Sequence, residues 1–187
     1  MNKILVLDNY DSFTYNLVHY IESFNVSCDV FRNDKISLDA VNDYDKILLS
    51  PGPGIPEEAG VMMELIKQYA STKSILGVCL GHQAIGQVFG ATLYNVGQVI
   101  HGKAKNTTVI VEDILFKNID KQFQSCRYHS WAIKVVKLPL VVTAIDDDNI
   151  VQAIKHEHFN VRGVQFHPES VMTPQGKKMI ENWMKLA

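Results

Sequence analysis

An α/β protein with a mostly parallel central sheet, helices on both faces and additional short antiparallel strands is what this sequence of 187 residues predicts. Three observations carry that expectation. Short apolar runs alternate with stretches whose apolar residues recur at helical spacing. Their order is strand, helix, strand, strand, helix, strand, helix, in compact units that suit parallel strands covered on both sides. The middle third then changes to closely spaced short strands, some of them expected to be antiparallel.

Lys3–Leu7 is a short apolar run, expected as a buried strand, and Asn9–Ser12 is a turn and cap cluster behind it. Phe13, Leu17, Val18, Ile21 and Phe24 repeat at helical spacing, with Asp11 or Ser12 as the cap. Cys28–Arg32 and Lys46–Ser50 are the next strands. The loop Pro51–Pro56 leads into a helix expected from about Glu57 to Tyr69, and Ser74–Val78 and Gly81–Phe89 give a further strand and helix. In the middle, Ala91–His101, Thr107–Val111, Phe123–Tyr128, Trp131–Val136 and Val141–Ile145 are expected strands, and Val151–His156 with Val161–Phe166 a hairpin. Thr173 as cap, Pro174 at the first helical position and the stripe Met179, Ile180, Trp183 and Met184 predict a last helix packed on the sheet. No repeat, low-complexity tract or linker divides the chain, so a single domain over residues 1–187 is expected.

Composition excludes several classes. Hydrophobic residues at 47% and charged residues at 20% are ordinary for a soluble globular protein. A net charge of −2 supplies no basic field for nucleic acid. The greasiest segment, Val135–Ile145, is interrupted by Lys137 and Pro139, and the apolar run behind Lys3 ends at Asp8. Neither a membrane span nor a signal peptide is therefore expected. The cysteines Cys28, Cys79 and Cys126 are odd in number and lack CxxC spacing. That argues against a disulfide framework or metal site and for a reducing cytoplasm.

One cysteine has a setting of its own. Gly77-Val78-Cys79-Leu80-Gly81 follows an apolar strand and opens a helix, the form of a nucleophile elbow. Small residues flank the nucleophile because the tight turn brings backbones together. A cysteine there meets a helix N-terminus, which favours thiolate, and backbone amides that can hold an oxyanion. Cys28 and Cys126 have no such setting and are expected to be packing residues.

A thiol nucleophile needs a base, and the base a group that orients it. His19, His156 and His158 fall on expected surfaces without an orienting neighbour. His101 lies in a Gly97–Lys103 loop available to a partner, and His82, on the elbow helix, suits packing of the turn. His167 differs, because Glu169 follows two residues later across Pro168 and an extended backbone projects both to one face. Ser50-Pro51-Gly52-Pro53-Gly54 follows the third strand, at the carboxyl edge where the elbow must also sit. Its stiff backbone can donate to an oxyanion or simply turn the chain. Gln83, one helical turn after Cys79, can meet a polar substrate or lie exposed.

Together Ser50–Gly54, Gly77–Gly86 (GVCLGHQAIG) and Gln165–Ser170 (QFHPES) resemble the class I glutamine amidotransferases in spacing and order. Asp8–Leu17 (DNYDSFTYNL), Val99–Lys103 (VIHGK) and Arg127–Ser130 (RYHS) are similar to the small subunits of anthranilate and aminodeoxychorismate synthases. The resemblance implies a flavodoxin-like fold and a triad at Cys79, His167 and Glu169. It implies oxyanion donors at the backbone of Gly52 and Leu80, and glutamine contacts at Gly52, Pro53, Gly54, Gln83, Ser130 and Trp131. His129 then belongs to the substrate strand. The family commonly has leucine where this chain has Trp131. The resemblance further implies that the partner is the chorismate-using subunit of a synthase, that Mg²⁺ sits in that partner, and that this chain carries no cofactor. A stand-alone cysteine hydrolase or peptidase, and a non-catalytic binding module, are the alternatives.

Overall fold

The computed structural model describes residues 3–97 and 102–186. Strands β1 (Ile4–Asp8), β2 (Cys28–Arg32), β3 (Lys46–Leu49), β4 (Ser74–Val78) and β11 (Val161–Val164) lie parallel in the order β2-β1-β3-β4-β11. The sheet continues antiparallel through β10 (Val151–His156), β9 (Leu140–Asp146), β6 (Lys103–Val109) and β7 (Gln122–Arg127). A separate ribbon pairs β5 (Thr92–Asn95) with β8 (Trp131–Lys134). The helices are α1 (Thr14–Glu22), α2 (Met62–Tyr69), α3 (Leu80–Val88) and α4 (Gly176–Met184). No helix among the described residues is long and apolar enough to cross a membrane.

The continuous apolar strands have two buried faces, and alternation along them assigns each residue a layer. Leu5, Leu7, Ile47, Leu49 and Ile75 pack in one core with Leu65 and Ile66 of α2 and Ala84 and Ile85 of α3. Ile4, Val6, Leu48, Leu76 and Val78 face the other way, against Leu17 and Ile21 of α1 and Met179, Ile180 and Trp183 of α4.

Several expected boundaries move, each for a local reason. The helix expected from Glu57 divides into a 3-10 turn, Pro56–Glu58, and α2. Gly60 separates them at φ 53, where a Cβ would come 2.4 Å from the Asn33 carbonyl oxygen. The strand expected at Trp131–Val136 stops at Lys134, because Val135 turns to φ 57. α1 begins at Thr14 with Phe13 as its first flanking residue and no side-chain cap. Asp11 instead accepts from the Phe13 N–H, while the Asp8 carboxylate accepts from the Thr14 hydroxyl. Thr173 does not cap α4, which starts at Gly176 behind Gln175. The strand expected over 91–101 is seen as β5; residues 98–101, with His101 and most of the 99–103 motif, lie outside the described residues.

Candidate active site

Between β4 and α3 the chain turns on Cys79 at φ 50, ψ −98, a conformation L-residues avoid unless the surroundings enforce it. The enforcement is backbone packing. A Cβ on Gly77 would stand 2.4 Å from the Gly81 carbonyl carbon, and one on Gly81 would stand 2.7 Å from Leu49 Cβ. The Cys79 N–H donates to the Val164 carbonyl at 2.8 Å, tying the elbow to the end of β11.

The residues that leave β11 place the second group. His167 Nδ1 and Glu169 Oε1 are 2.6 Å apart, and both side chains are almost fully buried. The backbone beneath them is anchored twice. The His167 N–H donates to the Cys126 carbonyl at 2.9 Å. The Thr173 hydroxyl donates to the His167 carbonyl at 2.7 Å and accepts from the Cys126 N–H at 2.9 Å. Phe13 and Tyr128 lie edge-on to the imidazole, with ring centroids at 6.3 and 5.1 Å. Burial alone would push the His167 pKa down. The neighbouring Cys79 sulfur and the Glu169 carboxylate outweigh it and hold the imidazole well above its ordinary value. The other ring nitrogen, Nε2, is buried and has no hydrogen-bond partner among the described residues.

Opposite the elbow, Gly52 packs so closely on Asn9 that a Cβ would lie 2.6 Å from Asn9 Cβ and from its carbonyl oxygen. Asn9 secures the loop by donating from its backbone to Ser50 Oγ and from Nδ2 to the Ser50 carbonyl, both at 2.8 Å. A cavity of about 230 Å³ opens between this loop and Cys79. Gly52, Pro53, Gly54, Gln83, Ser130 and Trp131 line it, together with Tyr128 and His129. Leu80 follows Cys79 as the first residue of α3. Cys79, the His167–Glu169 pair and the residues lining this cavity thus lie at one end of the parallel strands. A larger cavity of about 880 Å³, bounded by Ile110, Asp113 and Arg162, lies toward the other end of β11, and among the described residues no cysteine or histidine lines it.

The remaining histidines separate by environment. His19 is exposed on α1 and His158 on the surface. His156, expected on a surface, is instead buried, stacked on Phe159 at 4.2 Å and edge-on to Phe89 at 4.7 Å. His82 is fully buried against β11, where a Cβ on Gly163 would meet its Nδ1 at 2.8 Å. Burial pushes His82 down to about 3, offset only in part by the Gly163 backbone; burial and the Arg127 charge push His129 down to about 4. A histidine held neutral gives stability that is full above its ordinary pKa of about 6.5 and is lost as pH falls toward the depressed value. At pH 5 the His82 contribution is reduced by roughly 2 kcal/mol. Between pH 7 and pH 5 the wild-type melting temperature is therefore expected to fall further than that of His82→Gln, by about 4–8 °C. Parallel melting curves would show that His82 takes up its proton without unfolding.

Asn9, Thr173 and Gln165 form part of this site without having been singled out in the sequence. Gln165 lies inside the QFHPES motif, and Nε2 of its side chain is 3.5 Å from Cys79 Sγ. The sequence offers no signal for Thr173 beyond its supposed capping role.

Residues 5–186 match the family model of class-I glutamine amidotransferases. Anthranilate synthase component 2 of Saccharolobus solfataricus is 43% identical, covering 98% of this chain and 98% of that protein. Aminodeoxychorismate/anthranilate synthase component 2 of Bacillus subtilis is also 43% identical, covering 97% of this chain and 95% of its own. A crystal structure from Thermoplasma acidophilum, described as a GMP synthase subunit, superposes with a TM-score of 0.89 over 98% of this chain and 92% of that one, at 24% identity. That last likeness is one of fold.

Proposed function

The chain belongs to the class I glutamine amidotransferase family, and on that premise we propose that it is the ammonia-releasing component of a chorismate-using synthase, with Cys79, His167 and Glu169 as its catalytic triad. The observation that carries the triad is the buried 2.6 Å contact of His167 with Glu169, set beside a cysteine held at positive φ over a cavity.

In the proposed reaction Cys79 Sγ adds to the carboxamide carbon of glutamine. The oxygen takes the negative charge and is held by the backbone N–H groups of Gly52 and Leu80. His167, protonated at rest and steadied by Glu169, gives its proton to the departing nitrogen as the C–N bond breaks. Ammonia leaves and a glutamyl thioester remains. Water, deprotonated by His167, then attacks the thioester and frees glutamate and the thiol, so that one difficult step becomes two easier ones. Gln83, Ser130, Trp131, Pro53 and Gly54 supply the walls that receive the glutamine.

The names of the two relatives support a synthase component for partner, with anthranilate or aminodeoxychorismate as the product made from this ammonia. The β1–α1 loop supports docking beside the site. Tyr10 and Phe13 are exposed there and Tyr15 beside them in the first turn of α1, while Phe13 also touches the His167 ring. The free cysteines suit a reducing cytoplasm.

A diazo-ketone analogue of glutamine tests the assignment. It is expected to modify Cys79 alone, since burial pushes the Cys28 thiol up to about 11 and Cys126 is wholly buried. Glutaminase activity of the isolated chain is expected to rise at least tenfold when a chorismate-using synthase is added. Adducts on Cys28 or Cys126 would overturn the assignment of Cys79, and a full-rate glutaminase without any partner would favour a stand-alone hydrolase.

A further inference from the structure

Gln165 is wholly buried, and a chain of amide contacts determines what it shows to the nucleophile. Gln83 Nε2 donates to the Trp131 carbonyl at 2.9 Å and to Gln165 Oε1 at 3.2 Å. Gln165 Nε2 then points at Cys79 Sγ, 3.5 Å away. An amide can be turned end for end without changing shape, but here the orientation is fixed. A backbone carbonyl only accepts, so Gln83 must present nitrogen to Trp131. With both hydrogens of Gln83 committed, Gln165 must present oxygen to it, which leaves nitrogen for the sulfur. Reversing either amide would set two donors or two acceptors face to face inside a buried network.

We propose that Gln165 is a positioning residue whose amide N–H holds the Cys79 sulfur as a thiolate, and that the Trp131 carbonyl sets this donor through Gln83. The inference rests on the reading of Cys79 as the nucleophile. It gives Gln83 a second task, since only its carbonyl oxygen remains to meet a substrate. It also links the substrate strand to the nucleophile: β8 begins at Trp131, and movement of its first carbonyl when glutamine is seated would alter the donor aimed at the sulfur.

The test is the pH dependence of Cys79 alkylation by iodoacetamide, a small reagent that needs no glutamine recognition, read by mass spectrometry of the Cys79 peptide. Gln165→Met keeps length and volume but removes the donor. A hydrogen bond to a charged partner is strong enough that its loss should move the profile toward alkaline pH and slow alkylation at neutral pH by about tenfold. Glutamine turnover should fall in kcat by a similar factor with KM little changed, a split that general loosening of the pocket would not give. Gln83→Met, which frees the Gln165 amide to rotate, should shift the profile in the same direction by a smaller amount. A wild-type alkylation profile in folded Gln165→Met, or in Gln83→Met should the first variant not fold, overturns the proposal. A wild-type protein that alkylates at Cys79 with the expected profile yet hydrolyses no glutamine even with a chorismate-using synthase added would sink the glutaminase reading while leaving the Gln165 contact standing.

Discussion

His167→Ala is expected to lower kcat/KM for glutamine by about 10³–10⁴, with the protein folded and the partner still bound. The loss is large because, among the described residues, His167 is the only imidazole that combines proximity to Cys79 with a carboxylate on its far nitrogen. Without it neither the leaving nitrogen nor the attacking water has a proton carrier. Glu169→Gln should cost less, about 10–10²-fold, because an imidazolium carries hydrogens on both nitrogens and a glutamine oxygen can still accept from Nδ1. Its mark should be in the pH profile. The Glu169 carboxylate helps raise the His167 pKa, so its removal lets the proton leave sooner and moves the alkaline limb of kcat/KM to lower pH. Stability follows the same sign. A raised histidine contributes fully below about pH 6.5 and loses that contribution as pH climbs through its folded value, so the two proteins should converge in melting temperature at high pH. His82→Ala proving more damaging to turnover than His167→Ala would mean that the base has been misassigned.

The sequence made the proposed triad legible because its constraints are local. Gly77 and Gly81 are forced by contacts within the elbow and its immediate packing, and they stand in the chain as a fixed pattern around Cys79. His167 and Glu169 meet through the two-residue period of extended backbone, again a local relation. The two faces of β1, β3 and β4 were legible for the same reason. What could not be read is partnership across the fold. Gln165 meets Cys79 from 86 residues away, Thr173 reaches the Cys126 N–H across 47, and Asn9 holds Ser50 across 41. Periodicity shows which way a side chain faces and says nothing of whom it meets. Thr173 is the clearest case. Followed by proline it reads as a helix cap, but its hydroxyl is already engaged with the backbone of Cys126 and His167.

β6 was misplaced for a related reason. Its sequence, KAKNTTV, lacks an apolar alternation because its inward side is polar. Thr107 Oγ1 meets Ser125 Oγ at 2.7 Å, and the buried Arg127–Asp146 ion pair joins β7 to β9 across it. Arg127 also donates to the Asn106 carbonyl at 2.9 Å. A polar layer between strands carries no hydrophobic signal, yet it fixes where β7 ends and therefore where Tyr128, His129 and Ser130 enter the cavity.

Cys79→Ser in the complex with the synthase separates ammonia supply from synthesis, and it is expected to abolish product formation from glutamine, by at least about 10³-fold. Serine preserves the volume and the turn at φ 50, so folding and assembly should survive. A hydroxyl, however, stays protonated near neutral pH and is a far weaker nucleophile there than a thiol. Chorismate and excess ammonium salt at alkaline pH bypass the step, because free ammonia can reach the synthase without a glutamyl thioester being made. The mutant complex should then form product at close to the wild-type rate. If the partner also lifts glutaminase activity through the exposed face of Tyr10, Phe13 and Tyr15, the mutant should still compete with wild type for the synthase at equal affinity, since those residues lie outside the elbow. Loss of both the glutamine and the ammonia reactions in a complex shown to be assembled would mean that Cys79 serves some step other than the release of ammonia.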